Sequence, residues 1–533
     1  MHAGSHDPAI DVRSIRWERV QLVIEARVTP GTTIDPARVG LREVGGRRVM
    51  PATRIEHAGD RLTVHYNVIT GLDRDRLPTG RWVLGPPVVL DGAAAAGPDA
   101  AGGARSFLLE HGLFTVTPVY DAGQRALALL ASLDESVRRK ADPSIVGRVR
   151  LAGRWLAIHA RRLGFLSLIR ASRLTRRDRR PEILFASALI SELSGNLRAV
   201  HDRMVERGLD RDYDLVTALR PPRDRRGFLG RVRLASALDR ATVILLDDSY
   251  PPLHWLKIGP SVRVIQLWHA AGAFKTVGFS RVGTPTDADT FARVHRKYTA
   301  AIVSSEHDVP FYAEAFGIPE AIVFPTGIPR MDRFFDERAR AAGLAAARAA
   351  FPQTDGRMTI LYAPTFRGDG PKSSHFDLGV LDYAGLHAIA VAKDAVVIIK
   401  LHPFVVQPLG IPAAFADRLI DGSRASLDVN DLLFAVDLLI TDYSSIVFEF
   451  STLGRPMLFY AYDLDDYAGS RDFYVPFETF VPGRIVRTFP EVLDAIRRDD
   501  YQADKVARFA AQHFAHLDAG SADRVIDQLV IAR

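Results

Sequence analysis

The stretch DLLITDYSSIVFEF ends an apolar run at Asp442 and follows it with Tyr443, Ser444 and Ser445, with Glu449 four residues beyond the second serine. Hydroxyls at the start of a helix sit among free backbone amides and the positive end of the helix dipole, a place suited to a pyrophosphate. The same serines serve as N-caps, and capping and phosphate binding need one geometry. Glu449, about one turn along, is placed to hydrogen-bond a ribose hydroxyl. Upstream, VIQLWHAAGAFK delivers His269 into a turn of Ala270, Ala271, Gly272 and Ala273, with Lys275 six positions after the histidine. Small residues let backbone N–H groups approach an anion, and a lysine adds charge. An imidazole there can take a proton from an attacking hydroxyl. A single histidine after a strand also serves as a plain structural hydrogen-bonder.

Three further segments add to this set. VFPTGIPRMD presents Arg330, whose fork can grip phosphate at two points, and Asp332, which could instead hold Arg330 in a local ion pair. ILYAPTFRG ends on Pro364, Thr365 and Arg367, and VVIIKLHPF ends on Lys400 and His402. Pro403 stops the second of these strands, which puts its imidazole at the rim of a sheet, able to hydrogen-bond or protonate a phosphate oxygen. There is no cysteine, so disulfides, thiolate metal sites and a cysteine nucleophile are excluded. No clustered Asp or His set is visible along the sequence, and neither a metal nor a cofactor is expected.

The elements that must position these residues follow from pattern. At 533 residues the chain is long enough for about three or four domains. With 47% hydrophobic and 25% charged residues it has the composition of a globular protein, not of a disordered or membrane-embedded one. No apolar run approaches a bilayer span, and the first residues lack the apolar stretch of a signal peptide, so export is not expected. Residues 1–115 read as a small β-rich domain of short strands separated by Gly, Pro and Asp turns, with the Ala/Gly stretch 92–103 as a loop. Residues 116–180 read as a basic helical linker. From Arg138 to Arg180, basic residues outnumber acids fourteen to two. Within it Leu151, Trp155, Ile158, Phe165 and Ile169 recur at near-helical spacing between arginines, a pattern that can lie on an anionic membrane or dock on its own protein. No nucleic-acid fold or aromatic interleaving accompanies the charge.

From Pro181 onward, apolar strands alternate with helices in two series. The first runs EILFAS, YDLVTAL, ATVILLDD, VRVIQLW, AAIVSS and AIVFPT; the second runs MTILYAPT, AVVIIKLH, DLLITD and PMLFYA. Continuous apolar strands joined by helices predict parallel sheets buried on both faces, and two series predict two Rossmann-like lobes, residues 181–345 and 346–533. Ligands of such sheets bind outside the carboxyl ends of the strands, where nearly all the residues above fall.

In this order and spacing, WHxxG…K, TGIPRMD, YAPTFR, KLHP and TDYSSIVFEF resemble the CDP-glycerol glycerophosphotransferase family of teichoic acid and capsule enzymes, over roughly residues 181–490. The segment with Arg471 is similar to the stretch that follows the second-lobe motif in that family. The resemblance implies a GT-B fold, a first lobe on the acceptor side and a second on the nucleotide side. It implies a CDP-glycerol or related CDP-alditol donor, which is a substrate and not a cofactor, and a lipid-linked acceptor at the cytoplasmic face of the membrane. It further implies that His269 is the base and His402 the histidine near the donor phosphates. Donor contacts are implied for Arg330, Pro364, Thr365, Lys400, Ser444, Ser445 and Glu449. The usual Gly-Thr-Pro turn is replaced here by Ala270-Ala271-Gly272-Ala273. The expected reaction is transfer of glycerol phosphate with release of CMP; the alternative on the same fold is transfer of a sugar from a nucleotide sugar.

Overall fold

The computed structural model describes residues 10–28, 39–70, 76–85, 88–90, 103–109, 112–121, 126–137, 163–169, 180–220, 227–281, 295–368, 373–470 and 473–532. The N-terminal strands are β1 (Ile10–Glu18), β2 (Gln21–Arg27), β3 (Gly40–Glu43), β4 (Val49–Pro51), β5 (Arg54–Ala58), β6 (Arg61–Asn67), β7 (Gly80–Leu84), β8 (Val88–Leu90), β9 (Arg105–Leu109), β10 (Gly112–Asp121) and β11 (Ala126–Asp134). They form two sheets, β5-β6-β2-β1-β8 and β4-β3-β7-β11-β10-β9, antiparallel except for the β1–β8 pair. Alternation explains the pairing: along β6, Leu62, Val64 and Tyr66 point inward while Arg61, Thr63 and His65 do not. These side chains and Leu22 and Ile24 of one sheet share a core with Trp82, Phe114, Val116 and Leu129 of the other, which makes a sandwich. The sandwich runs to Asp134, so the expected boundary at 115 falls inside β10, where Thr115 pairs with Ser132. The expected helical linker 116–180 begins as strand in β10 and β11, and of its basic stretch 138–180 only 163–169 and Arg180 are described; Phe165 and Ile169 are buried in the core of the following unit, not turned outward as a membrane face. Trp155, Ile158, the Ala/Gly stretch before residue 103 and Arg471 lie outside the described residues.

Two parallel sheets follow. The first has β12 (Glu182–Ala186), β13 (Asp214–Ala218), β14 (Ala241–Leu246), β15 (Arg263–Gln266), β16 (Ala300–Ile302) and β17 (Val323–Phe324), ordered β13-β12-β14-β15-β16-β17. The second has β18 (Met358–Ala363), β19 (Ala395–Ile399), β20 (Leu419–Asp421), β21 (Leu438–Thr441), β22 (Met457–Tyr460) and β23 (Arg484–Val486), ordered β20-β19-β18-β21-β22-β23. β12 and β19 are buried at every residue, as strands covered on both faces must be. The strand order reverses direction beside β12 in one sheet and between β18 and β21 in the other, and a crevice opens at the carboxyl ends of such strands. The second series of the sequence therefore forms one sheet, extended by two short edge strands, β20 and β23.

The C-terminal stretch, expected to belong wholly with the second sheet, returns to the first. Asp523 takes Arg203 at 2.8 Å and Arg207 at 3.0 Å, both near the end of the helix Gly195–Glu206, and Arg263 donates to the carbonyl of Leu529. A buried carboxylate, Glu314, helps fasten the sandwich to the first sheet unit, accepting Arg19 Nε at 2.6 Å and Gln21 Nε2 at 2.7 Å. Glu314 has no exposed side-chain surface and Arg19 little, so removing the cation leaves a buried charge without its partner. Arg19→Ala is therefore expected to lower stability in urea unfolding by about 3–5 kcal/mol. A change of under about 0.5 kcal/mol, the size of an ordinary surface substitution, would contradict this role.

Candidate active site

His269 lies three residues past β15, on a turn entered through Trp268, whose φ of 52° is left-handed. A bulky residue in that region is strained, and strain of this kind persists where surrounding contacts over-determine it. The contacts are present. Buried Asn196, in the first turn of the helix Gly195–Glu206, donates from Nδ2 to the carbonyls of Leu267 at 3.0 Å and Trp268 at 2.8 Å, and its Oδ1 accepts the Arg330 amide at 3.0 Å. The Trp268 indole stacks on the imidazole at 4.4 Å between ring centres. His269 Nδ1 is 3.2 Å from the Asp247 carbonyl and 3.9 Å from the Asp248 carboxylate, and the side chain is 57% exposed. A carbonyl only accepts, so Nδ1 carries the hydrogen and Nε2 presents its lone pair. Below the ring, burial pushes the Asp247 carboxyl up, and its Oδ1 has no hydrogen-bond partner.

The turn after His269 was expected to cradle phosphate, and the structure assigns it differently. Ala271, Gly272 and Ala273 are buried. Two of their carbonyls and one amide are engaged: the Ala271 carbonyl accepts Ser304 Oγ, the Gly272 carbonyl accepts Tyr312 OH at 3.1 Å, and the Ala273 amide donates to Asp308 at 3.3 Å. A Cβ on Gly272 would stand 2.3 Å from the ring of Phe448, in the helix Ile446–Ser451 of the second unit. The small residues thus let the two units approach closely; they form a packing seam. Ala270 is half-buried at its edge. Lys275 continues the seam, pairing with Phe473 as an antiparallel bridge, with its ammonium 5.3 Å from the Tyr467 ring centre.

Arg330 crosses between the units. Its Nε donates to the His269 carbonyl at 3.2 Å and its Nη2 pairs with Glu449 of the second unit. The expected phosphate grip and the Arg330–Asp332 pair are both replaced: Asp332 accepts the amides of Ser521 at 3.0 Å and Ala522 at 2.8 Å, where the C-terminal stretch returns. Glu449, buried, keeps one oxygen, Oε2, without a protein partner.

On the second sheet, buried Asp442 ties together the ends of β18 and β21. It accepts the Thr365 amide at 2.8 Å and hydroxyl at 2.7 Å, the Tyr443 amide at 2.6 Å and Arg367 Nη1 at 3.0 Å. Arg367 also makes a two-point pair with Asp463, at 2.6 and 2.8 Å, and donates to the Thr365 carbonyl. Four of the guanidinium's N–H groups are thus used inside the protein. Burial works against its charge, but the hydrogen bond to Asp463 and the charge of Asp442 outweigh this and hold it protonated. Arg367 is a scaffold for the strand ends, not a donor contact as expected; so is Thr365, while Pro364 is buried beside it. Lys400 turns its ammonium to the Gly422 carbonyl at 3.1 Å, and burial lowers its pKa.

His402, at the next strand end, packs against Phe366 at 4.7 Å and Phe404 at 4.6 Å between ring centres. Its Nδ1 accepts the Phe404 amide at 3.2 Å, which leaves the hydrogen on Nε2. Ser445 is exposed at the N-cap of the helix Ile446–Ser451 and its hydroxyl makes no capping bond, while Ser444 Oγ accepts the Ile446 amide at 3.4 Å.

Arg330 thus joins His269 to Glu449, in the helix that Ser444 and Ser445 precede, while His402 is connected to that strand end through Phe366, Thr365 and Asp442. Asn196, Asp247, Asp442 and Asp463 were not singled out as site residues by sequence; Asp442 stood in plain view before the serines. Gly272→Ala separates a packing seam from an anion cradle. The seam predicts a loss of about 1–3 kcal/mol in stability measured without any donor; unchanged stability with a raised KM for donor would restore the cradle.

A sequence profile described as CDP-Glycerol:Poly(glycerophosphate) glycerophosphotransferase matches residues 169–531. The teichoic acid ribitol-phosphate polymerase TarL of Staphylococcus aureus is 34% identical over 557 aligned residues, covering 98% of this chain and 99% of its own. TarK of the same species, also named a teichoic acid ribitol-phosphate polymerase, is 38% identical over 428 residues, covering 79% and 82%. The solved wall teichoic acid polymerase TagF shares the fold, with a TM-score of 0.55 at 21% identity over 72% of this chain and 96–97% of that one. With the profile spanning most of its length and a relative matched from end to end, the chain belongs to the CDP-glycerol:poly(glycerophosphate) glycerophosphotransferase family, the teichoic acid polyol-phosphate transferases.

Proposed function

We propose that this protein transfers ribitol phosphate from CDP-ribitol to a hydroxyl at the end of a lipid-linked teichoic acid chain, releasing CMP. Glycerol was the polyol that sequence reading favoured. Ribitol is preferred because the two relatives named for ribitol phosphate match most of the chain at 34% and 38% identity. The glycerol-phosphate primases of Bacillus spizizenii and Bacillus subtilis match 52% and 54% of it at 30% and 29%.

The observation that supports the mechanism is the opposite role of the two Nδ1 atoms: that of His269 faces a carbonyl oxygen, and that of His402 accepts a backbone amide. The first ring suits a general base and the second a donor to phosphate oxygen. In this reading the units face each other in a GT-B arrangement. The acceptor hydroxyl gives its proton to His269 Nε2 and its oxygen attacks the β-phosphorus. The bond from that phosphorus to the CMP oxygen breaks, and His402 and the exposed Ser445 hydroxyl stabilise charge on the diphosphate. Glu449 Oε2, which lacks a protein partner, is the oxygen suited to a ribose hydroxyl. Arg330 acts by holding the His269 turn and Glu449 in register, which is positioning. The protein would work at the cytoplasmic face of the membrane as a peripheral enzyme, with arginines of residues 138–180 meeting anionic headgroups.

His269→Ala is expected to lower kcat about 10²–10⁴-fold with donor affinity within about twofold of the parent, measured by CMP release and by equilibrium binding. Turnover that survives the change would remove His269 as base. With donors labelled in the β-phosphate, label is expected in polymer, and kcat/KM for CDP-ribitol is expected to exceed that for CDP-glycerol at least about tenfold, a difference of about 1.4 kcal/mol. Equal values would overturn the choice of polyol, and label left on the nucleotide would overturn phosphotransfer.

A further inference from the structure

Behind the seam lies a side-chain cluster that the mechanism does not use. His307 and Asp308 stand on the short turn Glu306–Asp308, and His513 is the last residue of the helix Asp504–His513, so the cluster joins the first sheet unit to the returning C-terminal stretch. One ligand atom from each residue lies within 4.8 Å of the other two. His513 is 3% exposed, and its Nδ1, 4.0 Å from Asp308 Oδ1, is buried with no hydrogen-bond partner. Asp308 is fully buried, and its oxygens accept only the neutral Ser304 hydroxyl at 2.9 Å and the Ala273 amide at 3.3 Å. Among the described residues, no arginine or lysine forms an ion pair with it. Gln512 is at the rim, its amide nitrogen 3.4 Å from His307 Nε2.

A buried imidazole nitrogen without a partner and a buried carboxylate without a cation are each costly, and nature satisfies or removes such groups. One divalent ion would satisfy both at once. Two imidazoles and one carboxylate, without cysteine, form a donor set suited to zinc, and its usual bond lengths of about 2.0–2.2 Å put neighbouring ligand atoms roughly 3.3 Å apart. From separations of up to 4.8 Å the ligand atoms would draw together by up to about 1.5 Å to reach that spacing. We propose that His307, Asp308 and His513 bind a zinc ion that fastens the C-terminal helix to the back of the His269 turn. The link to the turn is direct: Asp308 holds the Ala273 amide, and the one Ser304 hydroxyl hydrogen lies between Asp308 Oδ2 and the Ala271 carbonyl. The ion's role there is structural, and the inference does not depend on which polyol the enzyme uses.

The bland alternative is an aromatic core position, since the His513 ring packs against Phe509, Phe448 and Phe480 at 4.3, 5.4 and 5.5 Å. His513→Phe keeps that packing and removes the ligand. His307→Gln, at a half-buried position, tests a second ligand should the first variant fail to fold. Full-length untagged parent and variants would be grown with zinc, desalted and measured by elemental analysis, then chelator-treated and titrated with zinc chloride in a thermal unfolding assay. The parent is expected to hold about one zinc per chain more than either variant, and zinc is expected to raise its Tm but not theirs. Equal zinc content in parent and variants, or an equal Tm response, would overturn the site.

Discussion

One guanidinium joins the two halves of the site. Arg330 holds the carbonyl of His269 on one side and the buried carboxylate of Glu449 on the other, so the placement of the His269 imidazole and the contact between the units are a single arrangement. A buried ion pair of this kind adds little net stability, but losing either partner is expensive, and this makes the relative placement of the two units specific. Around it the seam is closed by shape: Gly272 lies against Phe448, and Phe274 stacks on Phe480 at 4.4 Å between ring centres. The proposed chemistry would therefore sit where two sheets end, among residues whose first duty is to hold those ends together.

Asp442 does for the second sheet what Asn196 does for the first. Each is a buried polar side chain that stitches loop to loop at a strand end, and each has its hydrogen-bonding capacity satisfied by backbone or charged partners. Networks completed in this way rigidify a site, whereas a partly satisfied one would loosen it. The rigid part carries exposed His269 and Ser445 and half-buried His402 at the carboxyl ends of the strands. The strained backbone at Trp268 belongs to the same picture, since it turns the imidazole out of the sheet.

Much of this was legible in sequence, and the exceptions share a cause. Apolar runs of four to six residues such as those of β12, β14, β18 and β19 announce buried parallel strands, and all of them formed. β20 and β23, three residues each, carry too few side chains to show a pattern. Residue type told which groups are charged, but not what they face. Arg367 and Arg330 are both near strand ends, as a phosphate ligand would be, yet each is spent on carboxylates supplied by segments far away in sequence. The alanine-rich turn looked permissive to an anion because small residues permit any close approach, and here the neighbour is Phe448. The return of the C-terminus and the meeting of His513 with Asp308 are long-range events that local periodicity does not encode. The sandwich extends past its expected end because β10 pairs with β11, a strand contact that residue type along one strand does not announce.

The most direct measurement is a crystal structure of the enzyme with CDP-ribitol, bound under conditions without acceptor. The account predicts the β-phosphate in the crevice between the sheets, within about 3 Å of His402 Nε2, with His269 Nε2 facing the phosphorus from the side opposite CMP. A diphosphate bound away from both imidazoles, or a His269 ring turned so that Nδ1 faces the phosphorus, would contradict it.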